Sequence, residues 1–210
     1  MSITLNGTTG ITTPDLTSVA DIEANGSAVL TSASSLASAN LTGSVPSSAM
    51  PAGSVLQVVS YLTATQGSQT LSTSDQIINS ITKVITPLGA NSKFLVTVRW
   101  FGELQDAWGN PFNIHMDGVR VNINGQGRSY GLVMAAQSYG VTSNDSSTPE
   151  TVNMSTLVST SSVVGTAITF SLVADADGTP ILWNNRCFSG AGTGGYEAGT
   201  SEMIITEIGG

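Results

Sequence analysis

The sequence predicts an all-β protein: a β-sandwich or jelly roll over residues 51–210, preceded by an N-terminal segment, residues 1–50, that is extended or partly helical. Three observations carry this expectation. Apolar and β-branched runs recur after Pro51 between Gly, Asn, Asp and Pro loops. Asp117-Gly118 sits between two such runs and is a two-residue hairpin signal. Residues 1–50 contain no Lys, Arg, Cys or aromatic residue, and their only charges are Asp15, Asp21 and Glu23.

The leading segment comes first in chain order. Ile3 to Thr13 alternates loosely and holds the turn signals Asn6-Gly7 and Thr9-Gly10, so short extended pieces are expected. From Leu16 to Asn40 the spacing is weakly helical. Val29 and Leu36 repeat at seven residues, as do Leu30 and Ala37, which would suit a short coiled coil with small residues on its seam. Gly26 and the many serines oppose a helix there. Pro46, Pro51 and Gly53 punctuate a hinge. Side chains this small cannot repay the entropy of ordering the backbone. The segment therefore needs a partner, either identical copies wound around it or another protein.

The runs that follow are strand candidates. They are Val55–Leu62, Ile77–Ile85, Phe94–Phe101, Phe112–Met116, Val119–Ile123, Leu132–Ala136, Val152–Thr160, Ala167–Ala174, Ile181–Trp183 and Met203–Ile208. Phe94–Phe101 is the strongest and reads as apolar on both faces, too much so for an exposed edge. Many short strands between turn signals point to a sandwich, and no helix is required after Pro51.

Composition excludes several functions. With 6 basic and 14 acidic residues the formal charge is −8, so the chain lacks the Lys and Arg that displace counterions from nucleic-acid phosphates. The same shortage excludes a polybasic membrane-surface protein, and no apolar run approaches the ~20 residues of a membrane span. Charged residues are 10% of the chain against about 25% in ordinary domains. Ser, Thr, Asn and Gly must keep the surface wet, which suits a protein inside an assembly or outside a cell. Cys187 is the only cysteine, so it reads as a small buried hydrophobe. The opening residues show neither a basic n-region nor an apolar h-region, so synthesis and folding in a cytoplasm are expected.

In residues 53–210 the pieces Gly53-Ser54-Val55-Leu56-Gln57-Val58-Val59, Ile85-Thr86-Pro87, Asn91-Ser92-Lys93-Phe94-Leu95-Val96, Met116-Asp117-Gly118-Val119 and Gly199-Thr200-Ser201-Glu202-Met203-Ile204-Ile205-Thr206-Glu207-Ile208 follow in an order that resembles a β-rich domain of tailed-bacteriophage fibre and appendage proteins. The opening Ile3–Pro14 and the stretch Ala39–Pro46 also look like segments of phage structural proteins. The resemblance implies a virion component assembled in the host cytoplasm. It implies a homotrimer whose residues 1–50 attach to other virion proteins, with Ile3, Leu5, Ile11, Pro14 and Leu16 as the contacts, and whose residues 51–210 form an outward knob. The resemblance implies adhesion of this knob to a host surface, with surface polysaccharide as a candidate partner. A capsid decoration protein is the alternative, and an extracellular carbohydrate-binding module is a third.

The chemistry-bearing residues are few. His115, the one histidine, would have to anchor any Ser-His-Asp triad, but no Gly-x-Ser-x-Gly accompanies it, so a strand role is expected. One His and one Cys cannot supply a zinc site. Asp175-Ala176-Asp177-Gly178 could converge on calcium, but lacks the further acid an EF-hand uses and reads as a turn. Glu103 and Asp106 in the 102–111 loop could form a glycosidase pair, although any two loop acids look alike. Glu103, Asp106, Trp108 and Asn110 are instead read as receptor contacts, with Trp108 able to stack on a sugar, while Trp100 and Trp183 belong to the core. The Gly-rich run 190–195 lacks the Lys-Ser/Thr of a phosphate loop and reads as a flexible connection. Neither catalysis nor a cofactor is expected.

Overall fold

The computed structural model describes residues 23–24, 27–28, 47, 50–105, 109–121, 131–135, 148–188 and 197–210. Two compact units divide the chain, Met1–Ser44 and Val45–Gly210. The division falls a few residues before Pro51. The hinge is already tied to the second unit there: Ser47 Oγ donates to the Leu88 carbonyl at 2.8 Å.

In the first unit, β1 (Glu23–Ala24) and β2 (Ser27–Ala28) pair antiparallel. These residues lie inside the stretch read as weakly helical, so the expectation is corrected at 23–24 and 27–28. The pairing brackets Asn25-Gly26 in sequence, which is itself a hairpin signal. The heptad positions from Val29 onward lie outside the described residues.

The second unit is a β-sandwich, with no α-helix among its described residues. Its strands are β3 (Val55–Thr63), β4 (Gly67–Thr70), β5 (Gln76–Ile85), β6 (Lys93–Leu104), β7 (Asn110–Met116), β8 (Val119–Arg120), β9 (Val133–Ala135), β10 (Glu150–Ser159), β11 (Ile168–Ala174), β12 (Ile181–Asn184) and β13 (Ser201–Ile208). The first sheet runs β3-β13-β6-β12-β4, with β10 on the other side of β6. The second runs β5-β11-β7-β8, with β9 also on β7. The chain crosses between the two sheets repeatedly, as in a β-sandwich.

β6 organises the first sheet. It pairs with β10 from Lys93 to Gly102, with β13 from Lys93 to Arg99, and with β12 from Gly102 to Leu104. Phe94, Val96, Val98 and Trp100 point into the core, while Lys93, Leu95, Thr97 and Arg99 face out. The strand is thus central in pairing but buried on one face, which corrects the two-faced reading. Three of these four outward residues are polar, the period-2 pattern of an antiparallel sheet with one wet side.

The core fills the space between the sheets. Phe94 meets Phe170 with ring centroids 5.7 Å apart, and Trp100 meets Phe112 at 5.2 Å. Ile78, Ile81, Ile85, Ile114 and Leu172 complete the layer from the second sheet. β5 bends to supply two of them. Asn79 (φ 47°) and Ser80 (φ 55°) are left-handed, and the pairing with β11 jumps from Ser171–Thr82 to Val173–Ile77. This bulge lets Ile78 and Ile81 both turn inward at 0% exposure. Asp117 (φ 49°) and Gly118 (φ 83°) close the two-residue turn between β7 and β8, as their types demand. β4, Gly-Ser-Gln-Thr, carries no apolar residue and gave no strand signal.

Candidate functional site

Three polar constellations and one cavity stand out in the second unit. The most highly charged sits on the outer side of the second sheet. The Asp117-Gly118 turn places His115 opposite Arg120 on paired strands. A guanidinium and an imidazole facing one another call for a carboxylate, and Asp75 supplies it. Arg120 Nε donates to Asp75 Oδ2 at 2.5 Å and Nη2 to Oδ1 at 2.6 Å. Arg120 Nη2 also reaches Asp175 Oδ2 at 2.7 Å, and His115 Nε2 lies 2.7 Å from Asp75 Oδ2. All four side chains are 15–22% exposed.

The environment splits the two acids. Burial raises the Asp75 carboxyl, but Arg120 and His115 more than offset this and hold it below its usual range. Burial also raises Asp175, and there Arg120 offsets only part, while Asp75 adds repulsion, so it stays above its usual range. Arg120 is held more firmly protonated by its bonds to Asp75, against the opposing effect of burial.

Ser171 lies opposite His115 in the β7–β11 register, so Ser, His and Asp do come together on one face. The arrangement is not set for nucleophilic attack. The Ser171 hydroxyl pairs with Thr82 Oγ1 at 3.1 Å, both Asp75 oxygens are taken by Arg120, and Ser171 sits within a regular strand rather than on an exposed elbow. What the cluster does is tie the loop before β5 to β7, β8 and the end of β11. The sequence reading missed Asp75 and Arg120. The His115–Arg120 pairing followed from the turn length alone and was the available signal.

Two of the residues read as receptor contacts point inward, which corrects them. Glu103 is 0% exposed and Asn110 is 1% exposed. β6 runs on to Leu104 and β7 begins at Asn110, so both residues belong to strands and the loop between is shorter than expected. Glu103 Oε1 accepts from Thr148 Oγ1 at 2.7 Å, and Oε2 accepts from the Phe188 N–H at 2.5 Å. Asp106 and Trp108 lie outside the described residues, as do Ile3, Leu5, Ile11, Pro14, Leu16 and the 190–195 run.

Glu103 anchors a second cluster around Cys187, with Glu150 and Glu197. The thiol is buried, and its Sγ lies 3.6 Å from Glu197 Oε2. Burial first, then the surrounding carboxylates, push the thiol up to about 12. Above it Phe188 packs on Trp183, ring centroids 4.9 Å apart, and remains 49% exposed. Trp100 and Trp183 are core, as expected, at 0% and 5% exposure. At the predicted turn Gly178 has φ 131°, and Asp175 is engaged by Arg120.

The third constellation is a single carboxylate. Glu207 on β13 is 0% exposed and accepts from Ser92 Oγ (2.6 Å), Gln57 Nε2 (2.6 Å) and the N–H groups of Leu88 (2.9 Å) and Gly89 (2.9 Å). Burial raises this carboxyl, but these bonds more than offset it and hold it below its usual range. The bonds pin the 86–92 loop, which walls a cavity of about 480 Å³. Met50, Leu56, Leu88 and Val164 line it, with Ser47 and the backbone of Gly89, Ala90, Gly209 and Gly210.

The outer face of the first sheet is open and mixed. The β-pairing aligns Ser60, Ile204, Thr97 and Ser155 in one row and Val58, Thr206, Leu95 and Leu157 in the next. Val58 and Leu157 are exposed there.

No family model and no curated protein matches the chain. Among solved structures it is similar to dimeric latent PorU from Porphyromonas gingivalis, with a TM-score of 0.33 and 11% identity over 76% of this chain. The match spans 14% of that protein's length.

Proposed function

We propose that the protein is a virion structural protein of a tailed bacteriophage, a trimeric tail fibre or short tail appendage. Its leading unit attaches to other virion proteins and holds the copies together, and its β-sandwich is displayed for adhesion to the host surface. The observation that carries this reading is the contrast between the two units. Residues 1–44 have no aromatic and no basic residue, so they lack the bulk for a core of their own. The second unit buries the Phe94–Phe170 and Trp100–Phe112 ring pairs between two hydrogen-bonded sheets. A coreless polar leader on a self-sufficient sandwich fits a part whose order comes from an assembly. The order of the phage-like sequence pieces supports the same reading.

Adhesion then rests on shape, hydrogen bonds and aromatic stacking, multiplied over copies so that weak single contacts add. Among the described residues Phe188 is the exposed ring best placed for stacking. Trp183 backs it, and its own N–H is fixed by Glu103.

The reading is tested on particles. Virions carrying a chain without residues 1–44 should lack the protein, although the sandwich still folds. Virions carrying Phe188→Ala should incorporate it and adsorb several-fold more slowly, since a stacked ring contributes ~1 kcal/mol per copy. Incorporation of the shortened chain at wild-type levels would refute the attachment role. Gel densitometry of the particles separates tail from head, because a tail appendage is present in far fewer copies than a decoration protein.

A further inference from the structure

β5 ends the second sheet. Among the described residues it pairs with β11 alone, so its other side is an open edge. The strand carries Ile77, Ile78, Ile81, Val84 and Ile85, and Ile77 and Val84 are each 50% exposed. A long edge rich in β-branched aliphatic residues is a template for strands of other chains. The fold opposes this along the whole strand. At Asn79-Ser80 both residues are left-handed and the pairing with β11 jumps, so the edge is broken in its middle. Asn79 Nδ2 donates to the Thr65 carbonyl at 3.0 Å and fastens the bulge to the β3–β4 connection. The carbonyls at the two ends are taken by glutamines of the first sheet. Gln69 Nε2 donates to the Ile77 carbonyl at 3.0 Å, and Gln57 Nε2 to the Thr86 carbonyl at 2.7 Å. Between the bulge and Thr86 stands Lys83, the strand's one charge. A strand laid along that stretch would have to accommodate it.

We propose that these contacts are a built-in guard, by which the first sheet keeps the open edge of β5 from pairing with a strand of a second copy. Each amide occupies a carbonyl that a new ladder would need, and each must be displaced before a ladder bond forms. The bulge limits any incoming strand to a short run on either side, and the lysine disfavours the run toward Ile85. The guard acts at every copy whatever assembly the chain joins, so it does not depend on the virion reading. Its effect is greatest where copies are held side by side.

The test uses the full chain. The wild type is compared with Gln69→Ala/Lys83→Thr, which removes one amide and the charge from the β5 edge. The control is Arg99→Thr/Asn153→Ala, which removes one positive charge and one amide from the exposed face of the first sheet, where the two residues are paired. Circular dichroism and melting establish that each is folded. Thioflavin T fluorescence and sedimentation then follow association at a temperature well below melting. The edge variant should form β-rich species larger than the wild-type particle several-fold faster, and the control should not. Adding Ile77→Lys restores a charge at an exposed edge position and should suppress this association without raising the melting temperature. Should the edge pair fail to fold, Lys83→Thr alone, which breaks no hydrogen bond of the guard, carries the same comparison. An edge variant that associates no faster than the wild type overturns the proposal. So does one that the control matches, or one that Ile77→Lys does not rescue.

Discussion

Trp100 and Phe112 face each other across the two sheets, ring centroids 5.2 Å apart and planes inclined at 44°. The indole is also tethered: Trp100 Nε1 donates to Asn184 Oδ1 at 2.8 Å, and both residues are buried. One residue thus joins β6 to β7 by packing and to β12 by a hydrogen bond.

Replacing it should separate these contributions. Trp100→Phe keeps an aromatic ring but strands the Asn184 oxygen and opens a small void, so it should cost about 2–3 kcal/mol. Phe112→Ala should cost about 3–5 kcal/mol. Gly102→Ala should be comparably damaging, because a Cβ there would collide with the Trp183 carbonyl and the Trp100 ring. Urea denaturation reads all three, and a cost below ~1 kcal/mol for Trp100→Phe would contradict the tether.

Glu207 gives the protein an acid limb. Its carboxyl titrates below its ordinary value of 4.5 when folded, so it binds protons less readily than in the unfolded chain. The stability it adds is complete above that ordinary value and is lost as pH falls through the depressed folded value. Glu207→Gln should therefore cost about 2–3 kcal/mol at pH 7, and the difference should shrink on acidification below 4.5. Thermal melts of both proteins across this range check the sign. A difference that grows toward acid pH would be the wrong one.

Arg120 neutralises two acids at once, and only a planar fork serves both. Arg120→Lys should lose the two-point contact with Asp75 and cost ~1–2 kcal/mol, despite keeping the charge. Arg120→Ala leaves Asp75 and Asp175 facing each other and should cost about 3 kcal/mol. Adding Asp75→Asn to Arg120→Ala should recover part of this, and denaturation of the double variant measures it.

Cys187 should be chemically silent. Its thiol is 0% exposed and is raised to about 12, so almost none is thiolate at pH 8. Alkylation by iodoacetamide, followed by mass spectrometry, should occur at the rate of unfolding. Modification within minutes in native buffer would contradict this placement.

The sandwich was legible because its strands obey simple rules. Phe94–Phe101 and Met203–Ile208 carry apolar residues, and Asp117-Gly118 fixes a hairpin with both central residues at positive φ. β4 was not legible, since Gly67–Thr70 is recruited by backbone pairing to β12 rather than by any side chain of its own. Glu103 and Asn110 misled because polar types at a strand end look like loop residues. Only tertiary packing shows that Thr148 and Phe188 arrive to bond Glu103. The Glu207 clasp joins residues more than a hundred positions apart, a distance that local pattern does not span.

The measurement closest to the centre of this account is the solution mass of the whole chain beside that of residues 45–210. Light scattering at micromolar concentration should give three times 21.4 kDa for the whole chain, and a folded single copy for the shortened one. A whole chain that runs as one 21.4 kDa copy, or a shortened chain that still forms the same oligomer, would contradict it.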